Sequence, residues 1–327
     1  MPRWPKALLA GLLILAAPAA VHAQAQWLAP KLGENMPRAD YTYTFYPDQR
    51  VHNQGVDFGL EEHRFSLAVP VFQNTVDELS VQASVKYQDV ATKAVLPDLG
   101  VPFPDQLWDV KGSVTYRHRF ENGWIGGGEV SLSSPSDRPF DSWEELMYRV
   151  TLFLRVPHRE RNAFFFLLTY ANHQELVSDV NVPIPGIGYL YSPSDRLNIL
   201  IGMPFTSIQW KPIDTLSLDF SYVMLREIHA RATYQVFRPL RVYVGFDWDN
   251  FSYLRAGRGD EQDRFFYYEK RAYAGVRFDL RYVGFEVRGG WAFDRFYFEG
   301  EGYGDRTENR VIIGDGPFVM GRVAVRF

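Results

Sequence analysis

Apolar and polar residues alternate singly along most of the chain, the pattern of strands that carry one apolar and one polar face. Between residues 108 and 120, Trp108, Val110, Val114, Tyr116 and Phe120 share one face, while Asp109, Lys111, Ser113, Thr115, Arg117 and Arg119 share the other. Leu240, Val242, Val244, Phe246 and Trp248 alternate with Arg241, Tyr243, Gly245, Asp247 and Asp249. Ala272, Ala274, Val276, Phe278 and Leu280 oppose Arg271, Tyr273, Gly275, Arg277 and Asp279, and Val283, Phe285, Val287, Trp291 and Phe293 oppose Glu286, Arg288 and Asp294. Residues 79–87 and 216–224 behave alike. A helix would scatter these positions over its surface. The pattern runs through residues 40–327, so one all-β domain is expected there.

The first residues break the pattern. Arg3 and Lys6 precede an apolar run over residues 7–20, and Val21 and Ala23 place small residues at the minus-three and minus-one positions of an export signal. The run is shorter than the about 18 residues a spanning helix needs. Residues 1–23 therefore read as a signal peptide cleaved after Ala23, with Ala25 as the second choice. Residues 24–39 lack alternation and are expected to form an N-terminal periplasmic arm or plug segment.

Composition narrows the class. The chain has 25 Phe, 19 Tyr and 8 Trp, 16% aromatic in all, yet its mean hydropathy is −0.23. Beyond residue 20 no apolar run is long enough for a membrane helix, so a membrane reading must dilute lipid-facing residues with polar ones, as transmembrane barrels do. The 35 basic and 39 acidic residues give a net charge of −4, without the basic field of a nucleic-acid binder, so nucleic acid is not an expected partner. Cysteine is absent, which removes disulfides and thiolate metal sites.

The expected fold is a transmembrane antiparallel β-barrel of about 14 strands, within a range of 12 to 16. The rival is a soluble periplasmic β-sandwich, which alternates too but buries its apolar face in a core. Short links at 237–240 and 280–283 and long charged loops at 254–263 and 300–309 match the turns and loops of the two barrel ends. The count places residues 92–106 and 135–144 on the wrong end, which points to a strand miscounted between Pro183 and Pro212.

The last strand is amphipathic. Val319, Gly321, Val323, Val325 and Phe327 share one face, opposite Met320, Arg322, Ala324 and Arg326. Val323, Val325 and the final Phe327 look like the assembly signal that barrel-insertion machinery reads. In residues 183–211, the pair Gly188 and Tyr189, the turn Ser192-Pro193 and Gly202-x-Pro204 resemble an uncharacterised family of Gram-negative outer-membrane β-barrel proteins. That resemblance implies an outer-membrane location and a barrel fold. It implies no catalytic residues.

The faces above direct Arg117, Arg231, Arg241, Asp247, Asp249, Arg271, Arg277, Glu286, Arg288 and Arg322 into the lumen, with Arg64, Lys86, Lys111 and Arg149 among others. Such a lining either sets pore selectivity for small anions or pairs across strands and holds the wall together. The expected function is a passive channel for small solutes, with outer-membrane lipids and the assembly machinery as partners. The alternatives are a filled structural or binding barrel and a lipid-modifying enzyme. No nucleophile and base stand in a recognisable hydrolase motif, His229 being the nearest base candidate, so no catalytic residue, cofactor or metal site is expected. The Arg258-Gly259-Asp260 triplet reads as a solvated loop, and Gly126, Gly127 and Gly128 as relief of crowding at a bend. Aromatic runs at 164–166, 265–268 and 296–298 read as interfacial girdles.

Overall fold

A computed structural model of the chain describes residues 31–327 except 53, 98–99 and 174–181. The signal segment falls outside the described residues. Within them, seventeen strands form one antiparallel sheet. The first eight are β1 (Arg38–Arg50), β2 (Asp57–Gln73), β3 (Asp77–Thr92), β4 (Gln106–Arg119), β5 (Ile125–Ser136), β6 (Met147–His158), β7 (Asn162–Ala171) and β8 (Ile184–Ser194). The rest are β9 (Leu197–Met203), β10 (Phe205–Ile213), β11 (Leu216–Val223), β12 (Glu227–Phe237), β13 (Leu240–Tyr253), β14 (Arg264–Asp279), β15 (Val283–Gly300), β16 (Val311–Ile313) and β17 (Gly316–Arg326).

Each strand pairs with its neighbours in order, and β1 pairs with both β2 and β17, so the sheet closes on itself. β16 has three residues and meets the same edge of β15 that β17 follows lower down. Seventeen strands less this extension leave sixteen around the wall, the upper end of the expected range. A closed single sheet also rules out the sandwich. Residues 183–213 fold into three strands, β8, β9 and β10, where Pro and Gly blur the alternation. With them, the loops 93–105 and 137–146 join 51–56, 254–263 and 301–310 at one end. Turns 74–76, 120–124, 159–161, 195–196, 214–215, 238–239 and 280–282 stand at the other, as do Arg38 and Arg326.

The apolar face points outward. Val114, Val130, Leu152, Val244, Val276, Val287 and Val319 are all exposed and form an aliphatic band around the middle of the wall. Aromatic residues flank it. Toward the loops, Tyr43, His63, Tyr87 and Trp108 stand in one row across β1 to β4, with the Tyr87 and Trp108 rings 4.2 Å apart. Toward the turns, Phe72, Tyr116, Phe120, Trp124, Trp210, Phe237, Tyr282 and Phe327 are exposed.

Two features depart from strict alternation. The β14–β15 register shifts between Tyr268 and Lys270, and Asp294 adopts a positive φ of 52°. A bulge of this kind carries later side chains to the opposite face. Asp294, expected in the lumen, therefore points outward to Lys270 at 2.6 Å, and Arg295 and Tyr297 turn inward. The aromatic runs also split between faces. Phe265, Tyr267 and Tyr297 are buried inside the barrel, whereas Phe266, Tyr268, Phe296 and Phe298 stack in a separate cluster. Phe165 is likewise buried, between half-buried Phe164 and exposed Phe166. Gly127 makes room for the Phe153 ring, which would lie 2.6 Å from an added Cβ, so the glycine run relieves crowding in the wall.

Candidate functional site

Inside the barrel, side chains alternate inward from every strand, and the ten charged positions singled out above all enter ion pairs there. Arg117 meets Glu78, Arg231 meets Glu286, and Arg322 meets Asp40. Arg241 and Arg277 share Asp279. Asp247 takes Arg288 at 3.2 Å and Arg271 at 3.5 Å, while Asp249 is bonded to Arg271. Pairing between strands is thus the rule for these residues, because a lone charge held away from water is costly.

Two tyrosines organise the β13–β14 wall. Tyr243 stands opposite Gly275 and Gly245 opposite Tyr273, so each ring lies over a glycine of the neighbouring strand. The Tyr243 hydroxyl donates to Glu286 at 2.6 Å and the Tyr273 hydroxyl to Asp247 at 2.9 Å. Arg231 covers the Tyr243 ring at 3.8 Å and Arg288 the Tyr273 ring at 4.4 Å. A Cβ on Gly275 would collide with the Tyr243 hydroxyl and ring. Gly275→Val is expected to cost about 1–3 kcal/mol of stability through overpacking, read as a lower urea midpoint in detergent. An unchanged midpoint would show that the ring can leave its glycine freely.

One deeply buried carboxylate was not singled out by the alternation analysis. Glu269 accepts from the Tyr46 hydroxyl at 2.8 Å, the Tyr267 hydroxyl at 2.5 Å and Arg295 at 3.0 Å, with Arg271 at 3.3 Å. Extending the inward face of β14 from Arg271 back two residues would have found it. Glu62 similarly gathers Lys86, Arg64 and Gln88.

Both ends of the lumen are obstructed. At the turn end, Arg117 grips both oxygens of Glu78, whose carboxylate also accepts from the Gly33 amide and the Asn35 side chain. The stretch 31–36, within the expected arm or plug segment, is thereby tied to β3 and β4. At the loop end, Ala94, Leu96 and Phe103 of loop 93–105 are buried in the same cluster as Phe58, Phe265 and Tyr297. Loop 254–263 reaches across to β5, where the Leu254 amide donates to the Pro135 carbonyl at 2.6 Å and the Ala256 amide to Asp137 at 2.7 Å. Arg258 is drawn into this roof, donating to the Glu144 carbonyl at 3.1 Å, with a side chain only 3% exposed. The arginine of the triplet is therefore packed rather than presented to solvent.

No family model and no curated protein matches the chain. Solved structures overlap it over most of its length. Pseudomonas aeruginosa OccK7 covers 91% of this chain and 99% of its own, at 11% identity and a TM-score of 0.40. An outer membrane channel from Pseudomonas putida covers 89% and 94%, at 11% and 0.35. The β domain of the Bordetella autotransporter BrkA covers 89% and 99%, at 9% and 0.33.

Neighbouring strands also assemble what sequence spacing did not. Glu227, His229 and Asp249 bring potential ligand atoms within 4.8 Å of one another. Asp247 holds His229 Nδ1 at 2.9 Å and Glu227 meets Nε2 at 3.4 Å, so the ring is already engaged on both nitrogens. Val323, Val325 and Phe327 lie along the outward side at the end of β17, Val323 and Phe327 exposed.

At the turn end basic side chains gather on the inward face of the wall as a basic vestibule. Arg38, Arg322 and Arg326 lie close together, Arg326 in turn near Arg277 and Arg241, and Arg241 near Lys211. Asp40, Asp279, Asp219 and Glu286 are acids that face them.

Proposed function

We propose that this chain spans a bacterial outer membrane as a β-barrel channel for small anionic solutes. The observation that carries the reading is the inverted polarity of the wall: an exposed aliphatic band between aromatic belts outside, paired charges inside. Such a surface would be insoluble in water and matches a bilayer's apolar core and interfaces. The export signal read from residues 1–23 agrees with that location. Walls of sixteen or more strands enclose more space than wall side chains fill, which leaves room for a pathway. The basic vestibule supplies the preference for anions. A filled, non-conducting barrel is the second reading, favoured by the packed loop 93–105 and the roof beneath loop 254–263.

Purified chain refolded in detergent and inserted into planar lipid bilayers tests both. The expected result is stepwise current that reverses on the anion side under a salt gradient, moving toward the cation side in an Arg241→Glu, Arg326→Glu double variant. Silence from protein that still migrates heat-modifiably on gels would reject the channel and leave the filled barrel. A cation-side reversal in the wild type would reject the anion preference.

A further inference from the structure

Under the loop roof a cavity of about 50 Å³ opens between β4, β5 and β6 on one side and the end of β13 on the other. Lys86, Lys111, Arg149 and Arg226 line it, with Asp109 as the one acidic lining residue. The strands dictate this crowding. Lys111 stands opposite Ser133 and Ser84, Asp109 opposite Lys86, and Arg149 opposite Ser131. Small serines on the neighbouring strands leave the long cations space to converge.

Acids elsewhere in the wall are committed to other groups. Glu62 binds Arg64 and Gln88 as well as Lys86, and Glu129 accepts from Thr115 at 3.1 Å. Among the described residues Lys111 has no hydrogen-bond or ion-pair partner, its nearest charges being Arg149, Glu129, Arg226 and Asp109. Lys86 Nζ is buried without a hydrogen bond, 3.4 Å from Glu62 and 3.9 Å from the centre of the Phe251 ring. Buried donors of this kind are ordinarily satisfied. Here one of them, Lys86, lies beside the unpartnered Lys111 in a cation-rich space.

We propose that this cavity is a binding site for a single small oxyanion, a phosphate or a carboxylate, held by Lys111 and Lys86. The proposal deepens the channel reading by naming the class of solute that would pause in the lumen. At roughly 10–15 Å³ per water-sized probe, the space holds about four such positions, the size of a tetrahedral oxyanion's oxygens. An anion there supplies acceptors to donors that lack them and offsets the excess of positive charge. Larger organic anions would clash with Met147, Pro135 and Tyr253.

Isothermal titration calorimetry on the full-length chain in detergent, at fixed ionic strength, tests the site with inorganic phosphate, acetate and chloride. Saturable one-site binding of phosphate or acetate, but not chloride, is expected, and which of the two binds more tightly identifies the headgroup. Lys111→Gln is expected to weaken binding about tenfold, the loss of one charged hydrogen bond, while Lys111→Arg retains it. Arg196→Gln, an equal charge change on a turn at the other end, is expected to leave binding unchanged. Should Lys111→Gln lose heat-modifiable migration, Lys86→Gln reads the same site with an expected loss of about tenfold. The absence of saturable heat with both oxyanions, or wild-type affinity in Lys111→Gln or Lys86→Gln, overturns the proposal. Because binding is read without a bilayer, phosphate binding by a silent barrel would reject the channel alone, and conduction without binding would reject the site alone.

Discussion

Glu269→Ala is expected to lower the unfolding free energy by about 3–5 kcal/mol, the loss typical of breaking a buried ion pair from one side. The carboxylate is 2% exposed and is met by Tyr46, Tyr267, Arg271 and Arg295. Arg295 is itself 1% exposed, with Glu269 as its ion-pair partner, so removing the acid strands a charge that water does not reach. Arg271 suffers less because Asp249 and Asp247 still face it. Glu269→Gln keeps the volume and one acceptor oxygen, and about half the loss is expected from it, since one of the two accepting oxygens becomes an amide NH2 that faces donors. Urea titrations of heat-modifiable protein in detergent check both. Equal midpoints for wild type and Glu269→Ala would mean that the network is open to water and contributes nothing to holding β1, β14 and β15 together.

Phe103→Ala is expected to release loop 93–105 from the lumen. The Phe103 ring contacts Phe58, Phe265 and Tyr297 at centroid distances of 5.3, 5.4 and 4.9 Å, edge-on to each. Truncating a buried phenylalanine costs about 3–5 kcal/mol. Because the ring belongs to the loop and its three partners to the wall, that cost falls on the seating of the loop rather than on the ladder. At about 1.4 kcal/mol per factor of ten, the ratio of seated to released loop falls by a hundredfold or more. Two measurements read it: trypsin cleavage after Lys93 in detergent speeds up, and on the channel reading the current through single barrels in a bilayer rises. Unchanged cleavage together with unchanged current would show that Ala94 and Leu96 hold the loop without the ring.

The inward placement of Arg117, Arg231, Asp247 and Arg271 was legible because alternation is local: neighbouring side chains in a strand leave opposite faces whatever the rest of the chain does. Their partners were not. Glu269 meets Tyr46 across 223 residues of sequence, and Arg117 meets Glu78 across 39. Such pairs depend on which strands become neighbours and in what register. The reversal at Asp294 was hidden for a related reason, since one extra residue in β15 leaves the composition of the strand unchanged and flips every side chain after it. In residues 183–213 the proline and glycine content that makes tight turns also erases the two-residue period, and only the ladder between β8, β9 and β10 reveals three strands.

By itself, then, the sequence determined an all-β chain with one apolar and one charged face per strand, the split between short turns and long loops, and which cations would face inward. The tertiary structure decided the sixteen-strand circumference, the obstruction of both ends by residues 31–36 and loop 93–105, and the meeting of Lys86 and Lys111 around one cavity. The physical reason is the range of the forces involved. Facing follows from backbone geometry between adjacent residues, whereas closure, register and the partners of buried charges follow from hydrogen bonds and packing between segments far apart in the chain.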